Sequence, residues 1–417
     1  MHEGREVMVN PFYQSDFNYS IQVNRWLFKL IGAWPRSFID IRIFQILQNA
    51  LVCLCYICFI YISVPNMLHV IFEEDDVEMQ IRSLLPILAW FMTFVKYCFL
   101  LIHSNDLHGC LKQMENDWLR VDNSMNRDIM LSYAKIGRYV AALSAIWLYL
   151  GSISYLIIGS TTQTFVHGNE TVLVKRLPFA FYSKLINPTI SPTYEILLVI
   201  QIFADFFLIA IIANTNSLAF VFVLHVSGQI MILKRFLSCL NQEKKVTEKT
   251  KRQYEGNKNV VKSKIAIIVR QHVRVIKFIQ NIEKIMNQIC LAEFLGSIFI
   301  YCFLGFLILK EWEQKNFKNL LTDLAIFVSA TFNIFVLCFT GEILLQKCKE
   351  VGEKAYTIAW YRLPGKASLD LLLVILMSNC FIRITAGKFV NLSLPSFSYV
   401  LRSAAVYLNL LLSLTTY

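Results

Sequence analysis

Charge is scarce in this chain. Only 17% of its 417 residues are Asp, Glu, Lys or Arg, while 56% are hydrophobic. A soluble domain carries roughly a quarter charged residues, so a soluble globular fold is excluded. The side-chain groupings that do chemistry are missing as well. The sequence has no metal-ligand cluster, no phosphate-cradling loop and no catalytic-triad spacing, so an enzyme and any cofactor are not expected. The start, Met1-His2-Glu3-Gly4-Arg5-Glu6, lacks an apolar core and a small-residue cleavage site. No signal peptide is therefore expected, and the first membrane helix must direct insertion. Lipidation motifs are absent at both ends.

What is present is apolar sequence in blocks. A helix needs about 20 apolar residues to cross a bilayer. Seven regions meet that requirement: Ile43 to Val64, Leu84 to His103, Ile136 to Ile158, Ile196 to Val226, Ile289 to Leu309, Leu321 to Leu345 and Leu369 to Leu414. The last is about twice too long for one crossing. The polar run Arg383-Ile384-Thr385-Ala386-Gly387-Lys388 breaks it. It reads as a non-spanning cytoplasmic half, Leu369 to Ser378, and a spanning half, Val390 to Leu414.

The net charge of +11 is distributed to one side. Arg5, Arg25, Lys29, Arg36 and Arg42 precede the first span, and Lys112, Arg120, Arg127, Lys135 and Arg138 fill the second connection. The fourth connection, from Lys234 to Lys284, is dense in Lys and Arg, and Lys347, Lys349, Lys354, Arg362 and Lys366 follow the sixth span. The first connection instead holds Glu73, Glu74, Asp75, Asp76 and Glu78, with Arg82 at its edge. The third and fifth connections carry only Lys175, Arg176 and Lys184, and Lys310, Lys315 and Lys318. Positive residues favour the cytoplasm, so the N-terminus is expected inside and the C-terminus outside. This alternation excludes nucleic acid as the reason for the basic balance. The sequon Asn169-Glu170-Thr171 falls on the expected outer side. The eleven cysteines fall in spans or expected cytoplasmic segments, so no disulfide is expected.

A rhodopsin-like receptor needs the opposite orientation, and its motifs are out of place. Gly137-Arg138-Tyr139 precedes the third span rather than following it, and Asn187-Pro188 lies in a connection rather than in the seventh helix. A transporter is disfavoured because no inverted repeat is visible.

The residues from Thr340-Gly341-Glu342 through Ala355-Tyr356, Trp360-Tyr361 and Leu363-Pro364 to Thr385-Ala386-Gly387-Lys388-Phe389 resemble, in order and spacing, the insect odorant receptor family. Leu392-Ser393-Leu394 and Phe397 continue the likeness. Gly32-Ala33-Trp34-Pro35, Asp117-Trp118, Leu177-Pro178-Phe179, Ser191-Pro192, His272, Phe278 and Ile282-Glu283 extend it more weakly upstream. The resemblance implies an all-α membrane protein with seven transmembrane helices, the seventh split into a cytoplasmic and a pore-lining half. It implies four subunits around one pore and a volatile odorant bound in the outer half of each bundle. It also implies a coreceptor subunit as partner in the plasma membrane of an olfactory neuron. The basic connection is short where the coreceptor carries an insertion, so the chain resembles the odorant-specific subunit. A gustatory receptor of the same topology is the alternative. Its C-terminal Thr-Tyr motif is absent here, where Thr385-Ala386-Gly387-Lys388-Phe389 stands instead.

On this resemblance the chain divides into a cytoplasmic segment 1–42, helices one to four with the odorant pocket over 43–233, and a basic connection with an anchor helix over 234–288. Helices five, six and the cytoplasmic half of seven occupy 289–388, and the pore-lining half 389–417. Aromatic and polar groups in the expected outer halves make the candidate pocket: Trp90, Phe91, Trp147, Gly151, Tyr155, Tyr194, Gln201 and Phe332. Leu410, Ser413, Leu414 and Tyr417 share one helical face. A leucine stripe alone reads as packing or lipid contact. By resemblance Leu410, Ser413 and Leu414 match the gate.

Ionisable residues inside the spans include Lys96, Asp205 and Glu293. Buried charges pair or meet water, and Lys96 with Asp205 is the expected pair, with Glu293 near the inner end of span five. Arg402 is expected at a subunit boundary or a watery vestibule. The run from Asn241 to Lys264 reads as a solvated, disordered connection.

Overall fold

A computed structural model of the chain describes residues 10–35, 42–121, 123–160, 163–167, 170–174, 177–188, 190–247, 254–358, 360–363, 365–379 and 383–415. Arg5, Arg36, Asn169, Lys175, Arg176, Pro364 and Tyr417 lie outside the described residues.

The described chain is helical apart from two short hairpins. The helices are α1 (Tyr13–Leu30), α2 (Arg42–Phe72), α3 (Val77–Ile102), α4 (Ser104–Leu119), α5 (Ser124–Gly159), α6 (Thr193–Thr247), α7 (Tyr254–Glu313), α8 (Phe317–Tyr356), α9 (Gly365–Asn379) and α10 (Leu394–Thr415). The first six expected spans coincide with α2, α3, α5, α6, α7 and α8, with His103 just past the end of α3, and each of these helices is long and apolar enough to cross a membrane. The expected spanning half Val390 to Leu414 begins in a short strand, and only its part from Leu394 is the membrane-length helix α10. The chain is thus a multi-pass membrane protein, with seven such helices among the described residues.

The helices outrun the expected spans. α6 and α7 contain 55 and 60 residues, roughly 80–90 Å at 1.5 Å per residue, against a hydrocarbon core of about 30 Å. Hydropathy marks only the part of a helix that meets lipid, so the polar extensions were missed. The run 241–264, expected as a disordered connection, is largely helical: α6 continues to Thr247 and α7 resumes at Tyr254. The second connection likewise contains α4. Its Leu107, Cys110, Leu111, Met114 and Trp118 fall on one helical face and are buried.

α6 is the central helix, packed against α1, α2, α3, α5, α7 and α8. A continuous core runs from Phe28, Leu107 and Trp118 through Phe222 and Phe278 to Leu344 and Leu371. Side-chain caps start two of the helices. Asp76 accepts from Met79 N at 3.3 Å before α3, and Asn123 accepts from Met125 N at 3.1 Å before α5. Such caps satisfy backbone N–H groups that have no partner within the helix. Outside the core, Asp16 on α1 receives Arg127 Nε at 2.7 Å and Arg127 Nη2 at 2.8 Å. Burial alone would raise this carboxyl. The hydrogen bonds from Arg127 and Asn10, with the Arg127 charge, outweigh burial and hold it low.

The break in the seventh region is a built element. Thr385–Ala386 (β3) pairs antiparallel with Val390–Asn391 (β4), and Gly387 and Lys388 turn between them with φ of 62° each. A positive φ suits glycine. Glu283 of α7 accepts from Thr385 N at 2.8 Å and from Thr385 Oγ1, and Gly387 N donates to Asn287 O at 3.0 Å. The motif therefore ties the start of α10 to α7. Pro395 sits in the first turn of α10, where no intrahelical N–H bond is lost. The other hairpin, Gln163–His167 (β1) with Glu170–Val174 (β2), occupies the connection after α5.

Candidate ligand-binding site

Between α3, α5, α6, α7 and α8 lies a cavity of about 200 Å³. Trp90, Gly151, Tyr155, Phe179, Leu208 and Ile209 supply its apolar wall. Trp90 meets Phe179 edge-on with ring centroids 6.0 Å apart, and Tyr155 lies 5.7 Å from the same ring. Offset and edge contacts of this kind suit aromatic quadrupoles. Phe179 comes from the connection after β2, and it is held by a two-way clamp. Gln201 Nε2 donates to Phe179 O at 2.9 Å, and Phe179 N donates to Gln201 Oε1 at 3.2 Å. Tyr155 OH donates to Pro178 O at 3.1 Å, which fastens the same segment to α5.

Of the candidate residues, Trp90, Gly151 and Tyr155 line this cavity. The other five do not. Gln201 spends its amide on Phe179. Tyr194 is buried and donates to Ser160 O at 3.3 Å. Phe91 is half exposed. Trp147 meets Phe332 at a tilt of 51° with centroids 5.9 Å apart, and Trp147 is 39% exposed, so this pair sits on the outer flank of the bundle. Phe179 was not chosen as a pocket residue from the sequence. A lone aromatic in a connection has no periodicity to mark it.

The cavity also carries polar groups. The expected Lys96–Asp205 pair does not form. Lys96 Nζ instead donates to Glu293 Oε2 at 2.5 Å. Asn333 Nδ2 holds the other oxygen, Oε1, at 2.7 Å, and Asn216 Nδ2 donates to Asn333 Oδ1 at 2.8 Å. α3, α6, α7 and α8 thus share one buried polar network, because the α3–α7 packing brings Lys96 to Glu293. Asp205 on α6 accepts from Ser152 Oγ on α5.

A second, polar cavity of about 380 Å³ adjoins the first, sharing Pro86 and Tyr155 with it. Arg82, expected at the edge of a loop, lies within α3 and lines this space with Glu78, Glu311 and Asp323. Its guanidinium pairs with Glu311 and lies 3.7 Å from Asp323. At this end Glu73 accepts Ser183 N at 3.1 Å and 3.2 Å, takes Ser183 Oγ, and meets His69 Nδ1 at 2.7 Å. Glu73 thereby fastens the 177–188 connection, which carries Phe179. Burial would raise its carboxyl, but the bonds from Ser183 and His69 outweigh burial and hold it below the usual range. A carboxyl with a depressed pKa stabilises the fold fully above its unfolded value, about 4.3. The contribution is lost as pH falls through the lower folded value. Thermal unfolding of the purified protein across pH 3 to 7 checks this (roughly the carboxylate range): Glu73→Gln is expected to flatten part of the wild-type decline below about pH 4.3.

Residues 76–405 match the family described as 7tm Odorant receptor. The chain belongs to the odorant receptor family. Odorant receptor 10 of Aedes albopictus is 24% identical over 293 residues, covering 70% of this chain and 72% of the relative. Odorant receptor Or2 of Anopheles gambiae is 21% identical over 342 residues, covering 81% and 85%. Odorant receptor 2a of Drosophila melanogaster is 23% identical over 168 residues, covering 40% of this chain and 42% of the relative. That last match spans less than half the relative's length. The insect olfactory receptor OR5 of Machilis hrabei, solved in complex with eugenol, superposes with a TM-score of 0.70 at 13% identity, covering 97% of this chain and 100% of that one. The likeness is one of fold. Odorant receptors are receptors rather than enzymes, and membership places this chain in olfaction.

Proposed function

We propose that the chain is the odorant-binding subunit of a tetrameric, odorant-gated, non-selective cation channel that assembles with an odorant coreceptor in the plasma membrane of an olfactory neuron. The observation that carries the reading is the largely apolar cavity walled by Trp90, Tyr155 and Phe179. Volatile odorants are small and mostly apolar, and such ligands bind in concave aromatic sites with few polar handles. The N-terminus is cytoplasmic, the C-terminus extracellular, and the α2–α3 turn with the 177–188 connection faces outward. This follows from the charge distribution between spans.

The split seventh helix takes α9 as its cytoplasmic half and α10 as its pore-lining half. The segment 43–233 carries the odorant site. Segments 234–288 and 289–388 supply the anchor, 1–42 the cytoplasmic lead-in and 389–417 the pore. Leu410 and Leu414 are 56% and 69% exposed in the single chain, which suits residues that face neighbouring subunits or a pore. Ser413 Oγ bonds back to Leu410 O at 2.7 Å. In the tetramer, rings of Leu410, Ser413 and Leu414 close the pore by dewetting. Arg402 is exposed on the same helix, and in the assembly it faces a subunit boundary or water. Trp90, Gly151 and Tyr155 contact odorant, Gln201 positions Phe179, and Phe91, Trp147, Tyr194 and Phe332 frame the site from outside it.

A β-carbon at Gly151 would stand 2.8 Å from Ser329 Oγ. Gly151→Val therefore fills the wall between α5 and α8. Dose–response currents are expected to show a loss of odorant potency of about tenfold or more at equal surface expression. Unchanged potency for every active odorant would remove this cavity as the binding site.

A further inference from the structure

We propose that Asp205 sets the ligand class of the cavity and selects odorants bearing a hydroxyl group on an apolar body. The inference rests on the ligand-cavity reading above. Asp205 is 5% exposed, lies in a membrane-crossing helix and lines the cavity. The cation that lines the same cavity, Lys96, is committed to Glu293, whose second oxygen is taken by Asn333. Among the described residues Asp205 has one hydrogen-bond donor, Ser152 Oγ on the facing helix. A carboxyl presents about four lone-pair sites when ionised and a free carbonyl oxygen even when protonated. Leaving that acceptor capacity unmet in an apolar surrounding is costly. A ligand donor in the cavity relieves the cost, and a ligand without one does not.

A second orphan sharpens the class. Trp90 Nε1, whose ring is 3% exposed and lines the same cavity, has no hydrogen-bond acceptor. An indole N–H can only donate. Asp205 thus asks for a donor and Trp90 for an acceptor. A hydroxyl is both, an ether is only an acceptor, and an ammonium is only a donor. The rest of the wall, Leu208, Ile209 and Phe179 included, offers dispersion contacts that isomers share.

The test uses isomeric pairs that differ in the hydroxyl alone: heptanol with hexyl methyl ether, and benzyl alcohol with anisole. Whole-cell dose–response currents are recorded from the full chain with a coreceptor. The wild type is expected to favour each alcohol by about tenfold or more, the scale of one hydrogen bond to a charged group. Asp205→Leu is expected to bring the alcohol/ether ratio to within about threefold while the ether response survives. Asp205→Asn, which keeps a carbonyl oxygen, is expected to retain part of the preference. A ratio unchanged in Asp205→Leu overturns the proposal, as does a wild type that prefers the ethers. If Asp205 merely tied α5 to α6 through Ser152, its variants would lower surface expression and leave the ratio alone. The Gly151→Val measurement separates the two layers. Odorant potency that is lost in Gly151→Val, with a ratio indifferent to Asp205, refutes this inference and spares the cavity. Potency indifferent to Gly151→Val refutes the cavity itself.

Discussion

Lys96→Ala is expected to remove most of the receptor from the cell surface. Lys96 and Glu293 are 3% and 8% exposed, and both lie in membrane-crossing helices. Their 2.5 Å contact neutralises both charges. Deleting one partner leaves the other charged and buried, at a cost of about 3–5 kcal/mol, which is a large share of the roughly 5–15 kcal/mol that holds a protein folded. Removing both charges with similar volumes costs much less, because a buried pair repays little more than its own desolvation. Lys96→Met with Glu293→Leu should therefore recover much of what either single change loses. Surface biotinylation and thermal melting of the purified protein read both effects. A double variant no better than the singles would mean that the Asn333 and Asn216 bonds, rather than charge pairing, hold this network.

Gly341→Ala is expected to be comparably damaging although it adds one methyl group. A β-carbon there would stand 2.3 Å from Leu392 O and 2.4 Å from Leu392 Cβ. The obstacle is backbone, which no rotamer change can move. Leu392 N also donates to Ile384 O at 2.9 Å, and Leu394 N donates to Glu342 Oε2 at 3.3 Å. The strand before α10 is thus held to the hairpin at Leu392, and the start of α10 is held to α8 through Glu342. Overpacking costs about 1–3 kcal/mol where side chains can adjust, and this site falls at or beyond the upper end. The expected result is a lowered melting temperature and a smaller current per surface receptor, since α10 must shift. Gly109→Ala is the control. Nothing lies within 4 Å of its added carbon, so stability should hold or rise slightly through helix propensity.

These two sites also mark what the sequence could and could not reveal. Thr340-Gly341-Glu342 stood out as a motif, and its reason is the contact with Leu392, which sequence order does not show. Lys96, Asp205 and Glu293 are legible in the sequence because charge is rare in the spans. Their pairing is not, because it depends on α3 lying against α7. The seven spans followed from apolar run length, yet hydropathy ends where lipid ends and so missed the helical extensions of α6 and α7. Trp147 and Phe332 were chosen with Trp90 and Tyr155 because lipid is as apolar as a protein core. In a membrane helix, aromatic periodicity does not tell the inside of the bundle from its flank. Thr385-Ala386-Gly387-Lys388 read as a break and is a hairpin, since a polar run between two helices looks the same in either case.

The most direct test of the account is whole-cell current under a broad panel of volatile compounds, with G-protein signalling blocked, in cells expressing this chain with and without an odorant coreceptor. The account predicts a rapid cation current that requires both chains and survives the block. A response abolished by the block would contradict it, for then the chain would signal through a second messenger rather than conduct ions itself.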